Sequence, residues 1–239
     1  EHFAQFCAKE LGEGNAFFVY QSDNADSLAS CCRLRNEISD HTFSYSLGAG
    51  GVATGSINVI TLNMNRLIQQ KRNLAEEVRK IHKYQVAFRK LIEEYKNAGL
   101  LPVYDAGFIS LDKQFLTIGI NGMVEAAEYL DIAPTNNEQY KEFVRHHLKI
   151  IYDENRKARQ IYGYMFNTEF VPAENLGVKN ALWDKKSGLF SPRECYNSYF
   201  YAVEDDHINV LDKIILHGKE FIEYLDGGSA LHLNLEETP

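Results

Sequence analysis

Residues 46–64 read Ser-Leu-Gly-Ala-Gly-Gly-Val-Ala-Thr-Gly-Ser-Ile-Asn-Val-Ile-Thr-Leu-Asn-Met, and their reading decides the fold. The first half holds four glycines in eight positions, Gly48, Gly50, Gly51 and Gly55. The second half, Ile57 to Met64, is rich in β-branched and apolar residues and predicts a strand. The glycines invite a nucleotide-loop reading, but a P-loop carries Lys after its last Gly, and here Gly55 meets Ser56. Both the P-loop and the dinucleotide fingerprint follow a strand and open a helix. This cluster precedes a strand. It is read as a loop that turns tightly or approaches something closely, with a phosphate-binding role of another kind left open.

Downstream, Leu67, Leu74, Val78, Ile81, Phe88, Ile92 and Tyr95 recur at sevens, fours and threes. They predict one long helix, stopped at Gly99 and packed on a core rather than in a coiled coil. A strand is expected at Gly107–Leu111 and a helix over Asn121–Tyr129. A second long helix is expected from Asn137 to Tyr162, then a strand from Tyr164 running to a turn at Glu174. Tyr199–Val203 reads as a strand, Ile208–Leu225 as a helix stopped by Gly227 and Gly228, and Ser229–Leu235 as a last strand. Trp183 reads as a packing residue. Strands alternating with long helices give an α/β fold with parallel strands in one domain, residues 1–239.

Upstream, residues 2–11 predict a short helix with Phe3, Phe6, Cys7 and Leu11 on one side. Ala16–Tyr20 predicts a buried strand. Between Gln21 and Gly55 lies a long polar stretch, and loops of that length carry function or lack order. It contains Cys31-Cys32-Arg33. A guanidinium neighbour favours thiolate character, and a thiol at a loop tip suits a nucleophile or a hydrogen-atom carrier. From chemistry alone a functional and an incidental doublet stand level. Glu174 follows Pro172 just past a predicted strand, a place where α/β folds set their sites. Chemistry alone favours a plain helix first-turn acid there.

The formal net charge of -8 over 239 residues argues against generic nucleic-acid binding. No stretch approaches the roughly 20 apolar residues of a membrane span. No signal segment opens the chain, and the missing initiator Met suggests an excised or partial segment. Cys7, Cys31, Cys32 and Cys195 form neither a disulfide framework nor a Cys-x-x-Cys zinc motif. A reducing, cytoplasmic compartment is the simplest setting. His146 and His147 are adjacent on a helix and point apart; no His-Glu-x-x-His or Gly-x-Ser-x-Gly motif occurs.

Five blocks in order carry a resemblance: SCCRLRNEI (30–38), SLGAGGVATGSINVITLNMNRL (46–67), TEFVPAENLGVK (168–179), YNSYFYAVEDD (196–206) and LDGGSALHLNLEE (225–237). Together they resemble the catalytic core of the anaerobic, class III ribonucleoside-triphosphate reductases of the glycyl-radical enzyme superfamily, over nearly the whole chain. The resemblance implies a ten-stranded α/β barrel made of two five-stranded half-barrels, of which this chain is about half. A finger loop, here about residues 21–55, then threads the barrel centre. It implies anaerobic reduction of ribonucleotides to deoxyribonucleotides. A glycyl radical on a region outside this chain is made by an activating enzyme with an iron–sulfur cluster and S-adenosylmethionine. The finger-loop cysteine then takes the 3' hydrogen of the ribose. A cysteine before an arginine points to Cys32, with Cys31 one residue away as rival. Glu174 in PAEN is implied as an active-site acid. Ser56 stands where some members carry an active-site Asn, with Asn58 two residues on; both are candidate substrate contacts. That departure leaves formate or a thiol protein as reductant.

The same resemblance implies a ribonucleoside triphosphate substrate and, as partners, the activating enzyme and the remaining parts of a homodimeric catalytic subunit. No metal is expected on this segment, because the family's four-cysteine zinc site and glycyl-radical loop lie outside it. A pyruvate formate-lyase relative and a non-catalytic helical interaction module are the competing readings. The latter leaves the glycine-rich loop unexplained.

Overall fold

The computed structural model describes residues 1–15, 27–29, 35–37, 55–170, 175–205 and 208–233. The Ala16–Tyr20 strand, the cysteine doublet, Glu174 and the chain beyond residue 233 lie outside them. Helix α1 covers His2–Gly12 and buries none of its residues; Phe3, Phe6 and Leu11 are all exposed, and Cys7 is half-buried. Strands β1 (Ser27–Ala29) and β2 (Arg35–Glu37) pair antiparallel, Leu28 opposite Asn36.

Among the described residues the main body is a four-stranded parallel sheet in sequential order: β3 (Gly55–Asn63), β4 (Gln114–Asn121), β5 (Met165–Phe170) and β6 (Gly228–Ser229). Parallel neighbours need long crossovers. Those here run through α2 (Met64–Gln69), α3 (Leu74–Asn97) and α4 (Pro102–Asp105), then α5 (Met123–Tyr129) and α6 (Glu138–Tyr162). The last runs through α7 (Asn175–Lys186), α8 (Val210–Leu216) and α9 (Lys219–Ile222). Sequential order with right-handed crossovers places successive helices on one face. Accordingly α3 and α6 pack together over β3–β5.

Leu62, Ile118, Ile120 and Phe170 join Val144, Leu148 and Ile151 of α6 in the larger core; Leu116 and Phe166 join Val86 and Ala158 in a smaller one. Strand side chains alternate, so β4 sends Leu116, Ile118 and Ile120 under the helices and Thr117, Gly119 and Asn121 to the other face.

Several expectations are corrected. The single helix through Leu67–Tyr95 is two. Lys71 takes a left-handed conformation, φ 52°, and the Asn73 side chain accepts from the Glu76 amide to start α3 afresh. Past Val86 the predicted stripe is no longer covered: Phe88 and Tyr95 are exposed. The strand is not at Gly107–Leu111 but begins at Gln114. The helix expected from Asn121 starts at Met123, because Gly122 turns left-handed, φ 77°, after Asn121 ends β4. Residues 199–203 form no strand. Ile208–Leu225 divides into α8 and α9 at Gly218, where a Cβ would stand 2.6 Å from the Ile215 carbonyl oxygen. Of the last expected strand, Ser229–Leu235, Ser229 pairs with β5 as part of Gly228–Ser229, and among the described residues the strand extends no further. Trp183, expected to pack, is 49% exposed on α7, a helix with apolar residues on its outer side as well.

Candidate active site

Of the residues singled out from sequence, Ser56 and Asn58 are described; Cys31, Cys32 and Glu174 are not. The doublet lies in residues 30–34, which join the antiparallel strands β1 and β2. Glu174 follows β5 by four residues.

Ser56 and Asn58 sit near the amino end of β3, and a bulge sets them on opposite faces of the strand: Ser56 is opposite Phe115, yet Asn58 is opposite Leu116 on the helix side. The extra residue, Ile57, packs towards Leu116 and Phe166. Such bulges re-aim side chains. Ser56 Oγ lies 2.8 Å from Thr117 Oγ1 and 3.1 Å from the Asn58 carbonyl oxygen. Thr117 donates to Asn167 Oδ1 at 2.7 Å. Asn58 Oδ1 is buried without a partner among the described residues. Ser56 is level with Met165 across the sheet, so about four residues, roughly 13 Å, separate it along β5 from Glu169. The PAEN block follows farther on.

Sequence reasoning passed over the rest of this face. Thr61, Gly119 and Glu169 form one cross-strand row. A Cβ on Gly119 would stand 2.5 Å from Thr61 Oγ1, so the gap there is already filled by the threonine. Thr117, Asn121, Asn167 and Glu169 are all buried polar residues. The alternation of polar or small residues with apolar ones along 116–121, and the run Asn167-Thr168-Glu169 within an otherwise apolar segment, were the available signals.

At the carboxyl ends of the strands, where parallel sheets place their sites, a denser polar knot occurs. Asp184 of α7 accepts from Asn63 Nδ2 (3.1 Å), Asn65 Nδ2 (3.1 Å), Arg66 Nε (2.6 Å) and the Tyr196 hydroxyl (3.0 Å). Burial, with Asp184 beside it, pushes the Tyr196 phenol up to about 12. Asn121 donates to Ser198 Oγ and accepts from Asn180. Arg193 joins Glu125 and Glu128, and Glu125 also accepts from the Asn197 amide. Burial pushes the Glu125 carboxyl up despite those donors. A carboxylate as saturated as Asp184 has no oxygen to spare for chemistry. The knot fixes residues 187–198 to the sheet end and frames the polar face; it does not act. Among the described residues His82 and His147 lie apart from both. His82 shares a 2.8 Å hydrogen bond with Asn155 Oδ1 under α3, and His147 contacts the Phe143 carbonyl. Among the described residues no three His, Cys, Asp or Glu side chains gather as a metal would require, and no helix is long and apolar enough to cross a membrane.

Comparison with known proteins places this geometry. No curated protein matches. The chain is similar to the anaerobic ribonucleotide reductase of Thermotoga maritima in complex with dATP and CTP: 31% identity, TM-score 0.76, 92% of this chain and 38% of that one. The same enzyme with glycerol in its active site gives 32% identity, TM-score 0.76, and 91% and 38% coverage. Another anaerobic ribonucleotide reductase structure gives 31%, 0.68, and 75% and 31%. The chain thus spans less than two-fifths of these structures. The α/β unit with its parallel sheet corresponds to that part of the reductase. The family model described as anaerobic ribonucleoside-triphosphate reductase matches residues 2–239, and the chain belongs to that family.

Proposed function

We propose that this chain forms part of the wall of the catalytic barrel of an anaerobic ribonucleotide reductase and carries its finger loop, within residues 21–55. The reaction is radical reduction of ribonucleoside triphosphates to deoxyribonucleotides. One observation carries the reading. β1 and β2 pair antiparallel on either side of residues 30–34, so the Ser-Cys-Cys-Arg-Leu segment joins the two strands of a hairpin. The polar face of β3–β5 supports it, since a ribose with its hydroxyls needs hydrogen-bonding walls.

In this reading a glycyl radical elsewhere in the catalytic subunit, generated by an activating enzyme with an iron–sulfur cluster and S-adenosylmethionine, supplies the oxidising equivalent. The Cys32 thiol gives up its hydrogen atom and then takes the ribose 3' hydrogen; Cys31 is the alternative carrier. Glu174 moves a proton as the 2' hydroxyl leaves as water. Ser56 holds the ribose, Asn58 flanks it across the bulge on the helix side of β3, and the protein's work is positioning. A homodimeric catalytic subunit in the cytoplasm, with formate or a thiol protein as reductant, belongs to the same proposal.

The test is anaerobic nucleotide reduction by the complete, activated catalytic subunit with Cys31→Ala and Cys32→Ala made separately. Activity should vanish in one of them while the glycyl radical still forms. Full activity in both would remove the cysteine assignment.

A further inference from the structure

Three adjacent strands are joined on the face away from α3 and α6 by a line of side-chain hydrogen bonds: Ser56 on β3, Thr117 on β4 and Asn167 on β5. The links are 2.8 Å and 2.7 Å. Thr117 and Asn167 stand directly opposite each other in the register. Ser56 reaches Thr117 diagonally, because the bulge at Ile57 slips β3 by one residue. Both inner members are buried, Thr117 completely and Asn167 at 1% exposure. Buried hydroxyls must be satisfied, so this arrangement is fixed rather than incidental.

The line has a direction. Asn167 Oδ1 only accepts, so the one Thr117 proton goes to it. The Thr117 oxygen is then an acceptor, and the Ser56 proton answers it. With its proton committed inward, Ser56 Oγ offers lone pairs to anything outside the line. A rival acceptor waits beside it, the Asn58 carbonyl oxygen at 3.1 Å. Without Thr117 Oγ1 the Ser56 hydroxyl turns to that carbonyl, and its lone pairs turn with it.

We propose that Thr117 and Asn167 are positioning residues that hold Ser56 as a hydrogen-bond acceptor for a hydroxyl of the ribose. This rests on the reading above in which Ser56 contacts substrate. The group recognised is a hydroxyl donor, and a 2'-deoxyribose offers one fewer.

The test uses the complete catalytic subunit with Ser56→Ala, Thr117→Val and Thr117→Ser. Two readouts are compared: steady-state reduction after activation, and calorimetric binding of a ribonucleoside triphosphate to the unactivated subunit. Loss of one oriented hydrogen bond predicts a KM and Kd raised about three- to tenfold in Thr117→Val, with kcat less affected. Thr117→Ser keeps the hydroxyl and should restore both. If Ser56→Ala weakens binding and Thr117→Val does not, the positioning line is refuted and Ser56 remains a contact. If Ser56→Ala binds normally, the reading beneath it fails. Equal damage in Thr117→Val and Thr117→Ser would assign Thr117 to packing and overturn the proposal. Should Thr117→Val not fold, Asn167→Ala cuts the line at its far end, and unchanged nucleotide binding there refutes it equally.

Discussion

The two faces of β4 are held by different physics within one strand. Towards α3 and α6 it presents Leu116, Ile118 and Ile120, each at 1% exposure or less. Towards the other side it presents Thr117, Gly119 and Asn121, equally buried where they have side chains, but tied by hydrogen bonds to β3, β5, α7 and the 196–198 segment. The apolar face is specified by volume and tolerates repacking. The polar face is specified by donors and acceptors, and a single missing partner leaves a buried group unsatisfied. A face built in the second way has little freedom to drift, which suits a surface that must hold a small polar substrate. Even the apolar side admits one polar chain, His82 to Asn155 to Thr168, and there too both links are 2.8 Å.

The sharpest test of the contrast removes Asp184, which receives the last residue of the polar face, Asn63, together with Asn65, Arg66 and Tyr196. Asp184→Ala strands those donors and should cost about 4 kcal/mol in urea unfolding, the range for breaking a buried charged pair. Arg66, one-third exposed, can turn to water and trim that loss. A cost under 1 kcal/mol would show the knot to be ornamental. Next comes the apolar face. Ile118→Ala opens a cavity between β4 and the helix layer and should cost about 3 kcal/mol. Ile118→Val should cost about 1 kcal/mol, a graded response that a hydrogen-bonded position cannot give. If Thr117→Val and Ile118→Val prove equally mild, the distinction between the faces collapses.

Gly119→Ala probes the narrowest point of the polar face. Its methyl would meet Thr61 Oγ1 at 2.5 Å and Thr61 Cγ2 at 3.3 Å. Overpacking of this kind costs about 2 kcal/mol. Thr61→Ala made in the same chain should recover most of it, and that double-mutant cycle is the check. Additive effects would mean that the clash is relieved by backbone movement instead.

Much of this architecture was legible in the sequence, for definable reasons. The run Ile57–Asn63 and the helix 138–162 carry strong periods, and Asn137 caps the latter as an Asn should. The break at 70–73 was missed because an apolar heptad continues across it, although Asn73 followed by Glu76 is itself a start signal. β4 was misplaced because Gly119 and its alternating Thr and Asn weaken a strand's apolar signature, and that alternation is the polar face itself. α7 escaped because its outer side is apolar too, which blurs any stripe. Of the candidate site, Ser56 and Asn58 were singled out through family resemblance. Thr117 and Asn167 were not found: they stand opposite each other in the β4–β5 register, and the diagonal reach of Ser56 to Thr117 depends on the bulge at Ile57.

The smallest effect tests the helix layer where its apolar character fails. His217, just past α8, is largely buried; its Nδ1 lacks a partner among the described residues and its Nε2 lies 3.4 Å from Ser229 Oγ on β6. Burial pushes it down to about 4 from an ordinary 6.5. A depressed histidine means that the unfolded chain takes up the proton first as pH falls. The stability due to neutral His217 is therefore intact above about pH 6.5 and drains away between about 6.5 and 4. Between pH 7 and pH 5 the loss should be about 1–2 kcal/mol. His217→Gln removes the titration while keeping a polar end near Ser229, so its urea midpoint should fall less over that window. The other acids and bases act on both chains alike and cancel in the difference. Parallel pH profiles would mean that His217 keeps its ordinary protonation when folded. The helix layer would then admit water at β6, and the contrast between a dry apolar face and a bonded polar one would hold only for β3 to β5.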